Sequence, residues 1–154
     1  MMVMTAKVHT KKLLVLAGVI VVVILGLILL LGNDAQTTGA AAVSDNDSRV
    51  KFLESFGWEV AVSPVESGKV QIPSETIEVF DRYLKLQKEQ GYDLTPYAGK
   101  TVMRYVYEIK NYPNATEPVY ATLLVYQNQV VGGDITDTSA TGKVHGLAMP
   151  EMKE

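Results

Sequence analysis

Asp134, Asp137 and His145 are the residues of the C-terminal region whose types suit chemistry. One imidazole with two nearby carboxylates could act as an acid–base pair or hold a divalent cation weakly. The only other histidine, His9, lies at the opposite end of the chain, and there is no cysteine. Metal centres usually show tighter ligand spacing or more nitrogen and sulfur donors. The three residues therefore read as a loop aspartate, a turn aspartate and a polar histidine packed near the C-terminus. Nucleophilic chemistry fares no better. Ser63, Ser67, Ser74 and Ser139 all lack a G-x-S-x-G context, which a strand-to-helix nucleophile turn would need. No residue is assigned as catalytic, cofactor-binding or metal-binding.

Two further features suit binding. Gly132-Gly133-Asp134 follows an apolar stretch. A glycine pair can present backbone N–H groups to an anion, but it also marks a bulge or close backbone packing. No phosphate-loop pattern accompanies it. All eight tyrosines lie between Tyr83 and Tyr126. Tyrosine offers a large contact area with a polar tip, and it equally covers a small sheet. The candidate binding surface comprises Tyr105, Tyr107, Tyr112, Gly132, Gly133, Asp134 and His145. The surrounding region has 11 Lys and Arg against 17 Asp and Glu, a balance of −6. With no basic stripe, nucleic acid is disfavoured as a partner.

The elements that must position these residues follow from periodicity. A short helix is expected over about Asp47–Phe56, with Ser44 or Asp45 as cap and Gly57 after its end. Trp58-Glu59-Val60-Ala61-Val62 alternates and predicts a strand with Trp58, Val60 and Val62 inward. Lys69–Ile72 alternates again, which predicts a hairpin with it. Pro73-Ser74-Glu75 opens the main helix, with Ser74 as N-cap. Ile77, Phe80 and Leu84, with Tyr83, form its apolar stripe, and Gly91 ends it. Three strands follow. Thr101–Ile109 sets Met103, Tyr105, Tyr107 and Ile109 on one face. Val119–Tyr126 is apolar on both faces, as a central strand is. Asn128-Gln129 turns the chain into a strand that begins at Val130-Val131. The order α-β-β-α-β-β-β predicts an α+β domain over residues 45–150, its helices on one face of a mainly antiparallel sheet. Residues 151–154 read as a tail.

Upstream, Leu13 to Leu31 is an apolar run of 19 residues without a charge. At ~1.5 Å per helical residue it nearly spans the ~30 Å hydrocarbon core of a bilayer, so residues 13–31 are expected to be a transmembrane anchor in contact with membrane lipid. Lys7, Lys11 and Lys12 precede it, with no acid before Asp34. That bias places residues 1–12 in the cytoplasm and the C-terminal domain outside the cell. A cleaved signal ending near Ala40-Ala41-Ala42 is the rival, but the apolar core is long for one and the site distant. Residues 32–44 are small and polar and read as a flexible tether. The absence of cysteine points to a bacterial rather than a eukaryotic ectodomain.

From Phe52 onward the chain resembles a family of small membrane-anchored proteins from Firmicutes, chiefly clostridia, built on a domain of unknown function. Phe52-Leu53, Phe56-Gly57-Trp58-Glu59-Val60, Ile72-Pro73 and Leu86-Gln87 carry the resemblance. So do Gln90-Gly91-Tyr92-Asp93-Leu94, Tyr97-Ala98-Gly99-Lys100 and Asn111-Tyr112-Pro113. Leu123-Leu124-Val125-Tyr126 and Gly132-Gly133-Asp134 complete it. The resemblance implies a Gram-positive host and an N-terminal anchor, and it supplies no activity or catalytic residue. Lys143-Val144-His145-Gly146 departs from a more apolar stretch in the family.

Three functional readings follow. The first is a non-enzymatic extracytoplasmic binding module that meets an envelope protein or a small ligand through the sheet face or through the Asn111–Thr116 and Ile135–His145 loops. The second is a regulatory or accessory subunit of a membrane complex, using the apolar run, where Ala17, Gly18 and Gly26 permit close helix packing. The third is an envelope enzyme using His145 with Asp134 or Asp137.

Overall fold

A computed structural model describes residues 41–75 and 77–151. The basic tail, the apolar run and most of the tether lie outside these residues. Among the described residues, no helix is long and apolar enough to cross a membrane.

Helix α1 spans Asn46–Glu54. Asp45 caps it. The Ser48 amide donates to Asp45 Oδ1 at 2.8 Å, and the Asp45 amide donates back to Ser48 Oγ at 3.1 Å. This reciprocal box satisfies two amides that the first helical turn leaves free. Gly57, at φ +90°, lets the chain leave the helix and deliver Trp58 to the core.

Five strands form one antiparallel sheet in chain order: β1 (Glu66–Gln71), β2 (Thr101–Ile109), β3 (Val119–Tyr126), β4 (Gln129–Asp137) and β5 (Val144–His145). Helix α2 (Glu78–Glu89) and a short 3₁₀ turn (Thr95–Tyr97) lie between β1 and β2. The expected hairpin between residues 58–62 and 69–72 does not form. Instead both segments lie along β2. Val60 bridges Ile109, Ala61 N–H donates to the Glu108 carbonyl, and Glu66 sits opposite Val106. Pro64 interrupts this run because it has no N–H for the ladder. Val62, expected inward, is 82% exposed at the interruption.

The main helix begins at Glu78 rather than at Ser74, and Ile77 occupies the cap position without a side-chain hydrogen bond. The β3–β4 turn is Gln127-Asn128, one residue earlier than expected. Both residues have positive φ (48° and 63°), as a two-residue hairpin turn requires. Ala41–Val43, read as tether, is already part of the fold. Ala42 bridges Gln129 and Val43 is buried.

The helices lie on opposite faces of the sheet, not on one. Leu53 and Trp58 from α1 and its exit pack with Tyr107, Ile109, Ala121, Leu123 and Ile135. Phe80, Tyr83 and Leu84 from α2 pack with Ile72, Val102, Leu124 and Val131. The apolar character of both faces of β3 carries the reason, since each face needs its own cover.

Between Leu124 and Val125 the β3–β4 register shifts: Val125 faces Val130, but Leu124 faces Gly132. Val131 is the extra residue. A one-residue slip moves every later side chain to the other face. The bulge therefore puts Gly133 and Ile135 on the α1 face and Asp134 and Thr136 on the α2 face.

Candidate functional site

On the α2 face, polar side chains interrupt an apolar layer. Arg104 on β2, Thr122 on β3, and Asp134 and Thr136 on β4 line an open cleft of about 410 Å³. Its walls are Val70, Ile72 and Pro73 from the end of β1, Phe80 and Tyr83 from α2, and Leu124 and Val144. An adjoining groove of about 780 Å³ shares Pro73, Phe80, Tyr83 and Val144 and extends along Ile77 and Val79. A further depression of about 510 Å³ runs along α2 from Asp81 to Glu89. Only one helix lines it, so it is a surface furrow without walls.

Asp134 is the centre of the cleft. It is 6% exposed, and both its oxygens are engaged: Tyr83 Oη donates to Oδ2 and Thr136 Oγ1 donates to Oδ1, each at 2.9 Å. Burial raises its pKa above the ordinary 3.8. The two hydroxyl donors and the charges of Arg104 and His145 oppose that rise. Burial, and then the Asp134 carboxylate, push the Tyr83 hydroxyl above its ordinary 10.0, which holds it as a donor. Arg104 faces the cleft from two strands away, and its Nη1 pairs with Glu66. Each carboxylate oxygen of Asp134 keeps one further lone pair for a donor.

The other expected site residues go elsewhere. Tyr107 is fully buried, with its hydroxyl between Arg49 Nε (2.9 Å) and Asn46 Oδ1 (3.0 Å). Tyr105 lies under the Arg49 guanidinium, 3.8 Å from its ring centre. These tyrosines support α1 and do not form a free surface. Tyr112 stacks on Trp58, with ring centres 5.7 Å apart and planes 8° from parallel. Its hydroxyl meets His145 Nε2 at 3.1 Å. His145 Nδ1 lies 2.7 Å from the Gly146 carbonyl. A carbonyl only accepts, so Nδ1 carries a proton, and in the neutral ring Nε2 accepts from Tyr112.

His145 thus belongs to an aromatic cluster on the α1 face, and neither Asp134 nor Asp137 hydrogen-bonds to it. Asp137 Oδ1 instead accepts from the Ser139 amide. Gly132 and Gly133 are buried, and the Gly133 amide is taken by the Gln87 side chain, so this N–H is not offered to an anion. Ile135–Asp137 and Val144-His145, read as loop, are strand.

Of the seven residues singled out from sequence, only Asp134 faces the cleft. Tyr83, Arg104, Thr122 and Thr136 were missed. For Arg104 and Thr122 the available signal was a polar residue inside a strand with apolar neighbours on both sides. Placing them together requires the β3–β4 register.

A family model described as "Domain of unknown function (DUF4830)" matches residues 52–135, more than half of the chain, and the chain belongs to that family. The match contains Tyr83, Arg104, Thr122 and Asp134, and it ends before His145. No curated protein and no solved structure matches the chain.

Proposed function

We propose that this DUF4830 chain is a membrane-anchored, extracytoplasmic binding module whose ligand occupies the cleft between α2 and the sheet. The observation that carries the reading is Asp134. A buried carboxylate is costly unless something justifies it, and this one stands at the floor of an open, apolar-walled cleft with acceptor capacity left over. Pockets of ~300–1,000 Å³ with apolar walls and a few convergent polar groups are the usual form of small-molecule sites. Thr122 and Thr136 supply the cleft's aliphatic hydroxyls, and His145 lies on the other face, which favours binding over turnover. The anchor rests on the uncharged run Leu13–Leu31 and the lysines before it. Residues 32–40 separate that run from the folded unit.

A photoreactive residue at Val144, which lines the cleft and is half exposed, tests the reading in intact cells. Lys51, exposed on α1, is the control position. An adduct formed from position 144 and not from position 51 supports the cleft as the binding site. Equal labelling, or none while the chain is present, overturns it. Fractionation tests the anchor: the full chain is expected with membranes, and a chain lacking residues 13–31 is expected in the soluble fraction.

A further inference from the structure

Arg104 and Asp134 carry opposite charges into the same cleft, yet they are not an ion pair; the partner of Arg104 is Glu66. The sheet keeps them apart. Arg104 is opposite Leu124, and Asp134 is opposite Thr122. They are therefore two strands apart, roughly 10 Å, and offset by two residues, roughly 7 Å. Both line the same cleft, so this separation leaves a gap between a cation and an anion. Glu66 takes only Nη1 of Arg104 and is mostly exposed. Among the described residues nothing else accepts from Nε and Nη2, which leaves them for a second acceptor, and an exposed ion pair gives way at small cost.

A ligand with one charge fits this gap badly. A cation drawn to Asp134 meets Arg104, and an anion drawn to Arg104 meets a buried carboxylate. A ligand carrying both charges satisfies both groups. The remaining surface is apolar: Ile72, Phe80, Leu124 and Val144 would take an aliphatic substituent. We infer that the cleft takes a zwitterionic α-amino acid with an apolar side chain, its ammonium on Asp134 and its carboxylate on Arg104. This assignment rests on the cleft being the ligand site.

Calorimetric titration of the full-length chain in mild detergent tests it, with L-leucine as the probe. L-Leucinamide lacks the carboxylate and 4-methylpentanoate lacks the ammonium. Saturable binding of leucine is expected, about tenfold or more weaker for either analogue, since each loses a charge-assisted contact. Asp134→Asn and Arg104→Gln are each expected to weaken leucine binding by a similar factor. The tryptophan emission of both variants should match that of the parent chain, which shows that the fold is kept. Lys51→Ala is expected to change nothing. No saturable heat with leucine up to roughly 10 mM, or an analogue binding as tightly as leucine, overturns the assignment. So does unchanged affinity in both folded variants. If leucine fails while position 144 still yields a specific adduct, the cleft remains a binding site and only its ligand class is wrong.

Discussion

The Gln87 carboxamide pairs with the Gly133 peptide as a neighbouring strand would. Gly133 N–H donates to Gln87 Oε1, and Gln87 Nε2 donates to the Gly133 carbonyl, both at 2.9 Å. The short β5 pairs with β4 only at Ile135 and Thr136, so the edge of β4 would otherwise be open at Gly133. Gln90, one turn on, adds a second donor to the same carbonyl at 3.0 Å. Its Oε1 accepts from Leu147 N–H at 2.7 Å. Gln87 of α2 and Gln90 at its C-cap thus close the sheet edge and fix the C-terminal segment, and with it the helix that walls the cleft.

Gln87→Leu keeps the volume and removes the pairing. The Gly133 carbonyl keeps Gln90, but the buried amide loses its acceptor. We expect a loss of about 1–3 kcal/mol, read by urea denaturation. A loss below the error of that measurement would show that the pairing is energetically idle.

The two adjacent glycines should respond differently to alanine. A Cβ on Gly133 would lie 2.7 Å from the Thr122 carbonyl oxygen, a backbone atom of the adjacent strand. On Gly132 the nearest atom is Gln87 Oε1 at 3.0 Å, the end of a side chain. Gly133→Ala is expected to cost about 3 kcal/mol, the upper part of the overpacking range, and Gly132→Ala about 1 kcal/mol. Thermal denaturation of the pair checks the order.

Trp58 is 1% exposed, donates Nε1–H to the Leu147 carbonyl at 2.6 Å and stacks on Tyr112. Trp58→Ala should cost about 3–5 kcal/mol, which approaches the whole stability of a small domain. As the chain's one tryptophan, it should emit at shorter wavelength folded than unfolded. An unshifted spectrum on unfolding would contradict its placement.

Asp134 makes stability depend on pH in a direction opposite to that of most carboxylates. Its pKa is raised by burial, so the folded state binds this proton more tightly than the unfolded chain does. Its contribution is fully present below about 3.8 and is lost as pH rises through the raised folded value. The stability of the parent chain relative to Asp134→Asn should therefore increase as pH falls through that window. Parallel denaturation series of the two proteins from neutral to acidic pH check the sign. A constant difference would mean that the pKa is not shifted.

Much of the α+β domain was legible in the chain. The bounds of β2 and β3 match their alternation and apolar runs, and the Asp45 cap and Gly57 mark α1, because these signals are local. Both burial stripes of β3 were visible as well, although one was not connected to a second helical layer. The hairpin was misread because alternation in residues 58–62 and 69–72 reports that each is a strand, not which strand it joins. Ser74 was misread as a cap because a capping residue is common in turns too.

The candidate site was scarcely legible. Tyr105, Tyr107 and Tyr112 looked like a surface because tyrosine suits both surface and core, and only α1 and Trp58, arriving from elsewhere in the chain, decide that they are covered. Gln87 carried no signal at all, since a glutamine in an amphipathic helix reads as solvated.

By itself, the sequence determined an uncharged apolar run, an acidic cysteine-free domain, the strand-forming segments and the turns, because composition and periodicity are properties of neighbours along the chain. Tertiary structure alone decided which side chains meet. A single extra residue at Val131 turns Asp134 from the α1 face to the α2 face. Its partners Tyr83 and Thr136, and the Arg104 that shares its cleft, come from three separate elements. Sheet register is set by the packing of both faces at once, and no local stretch of sequence contains that information.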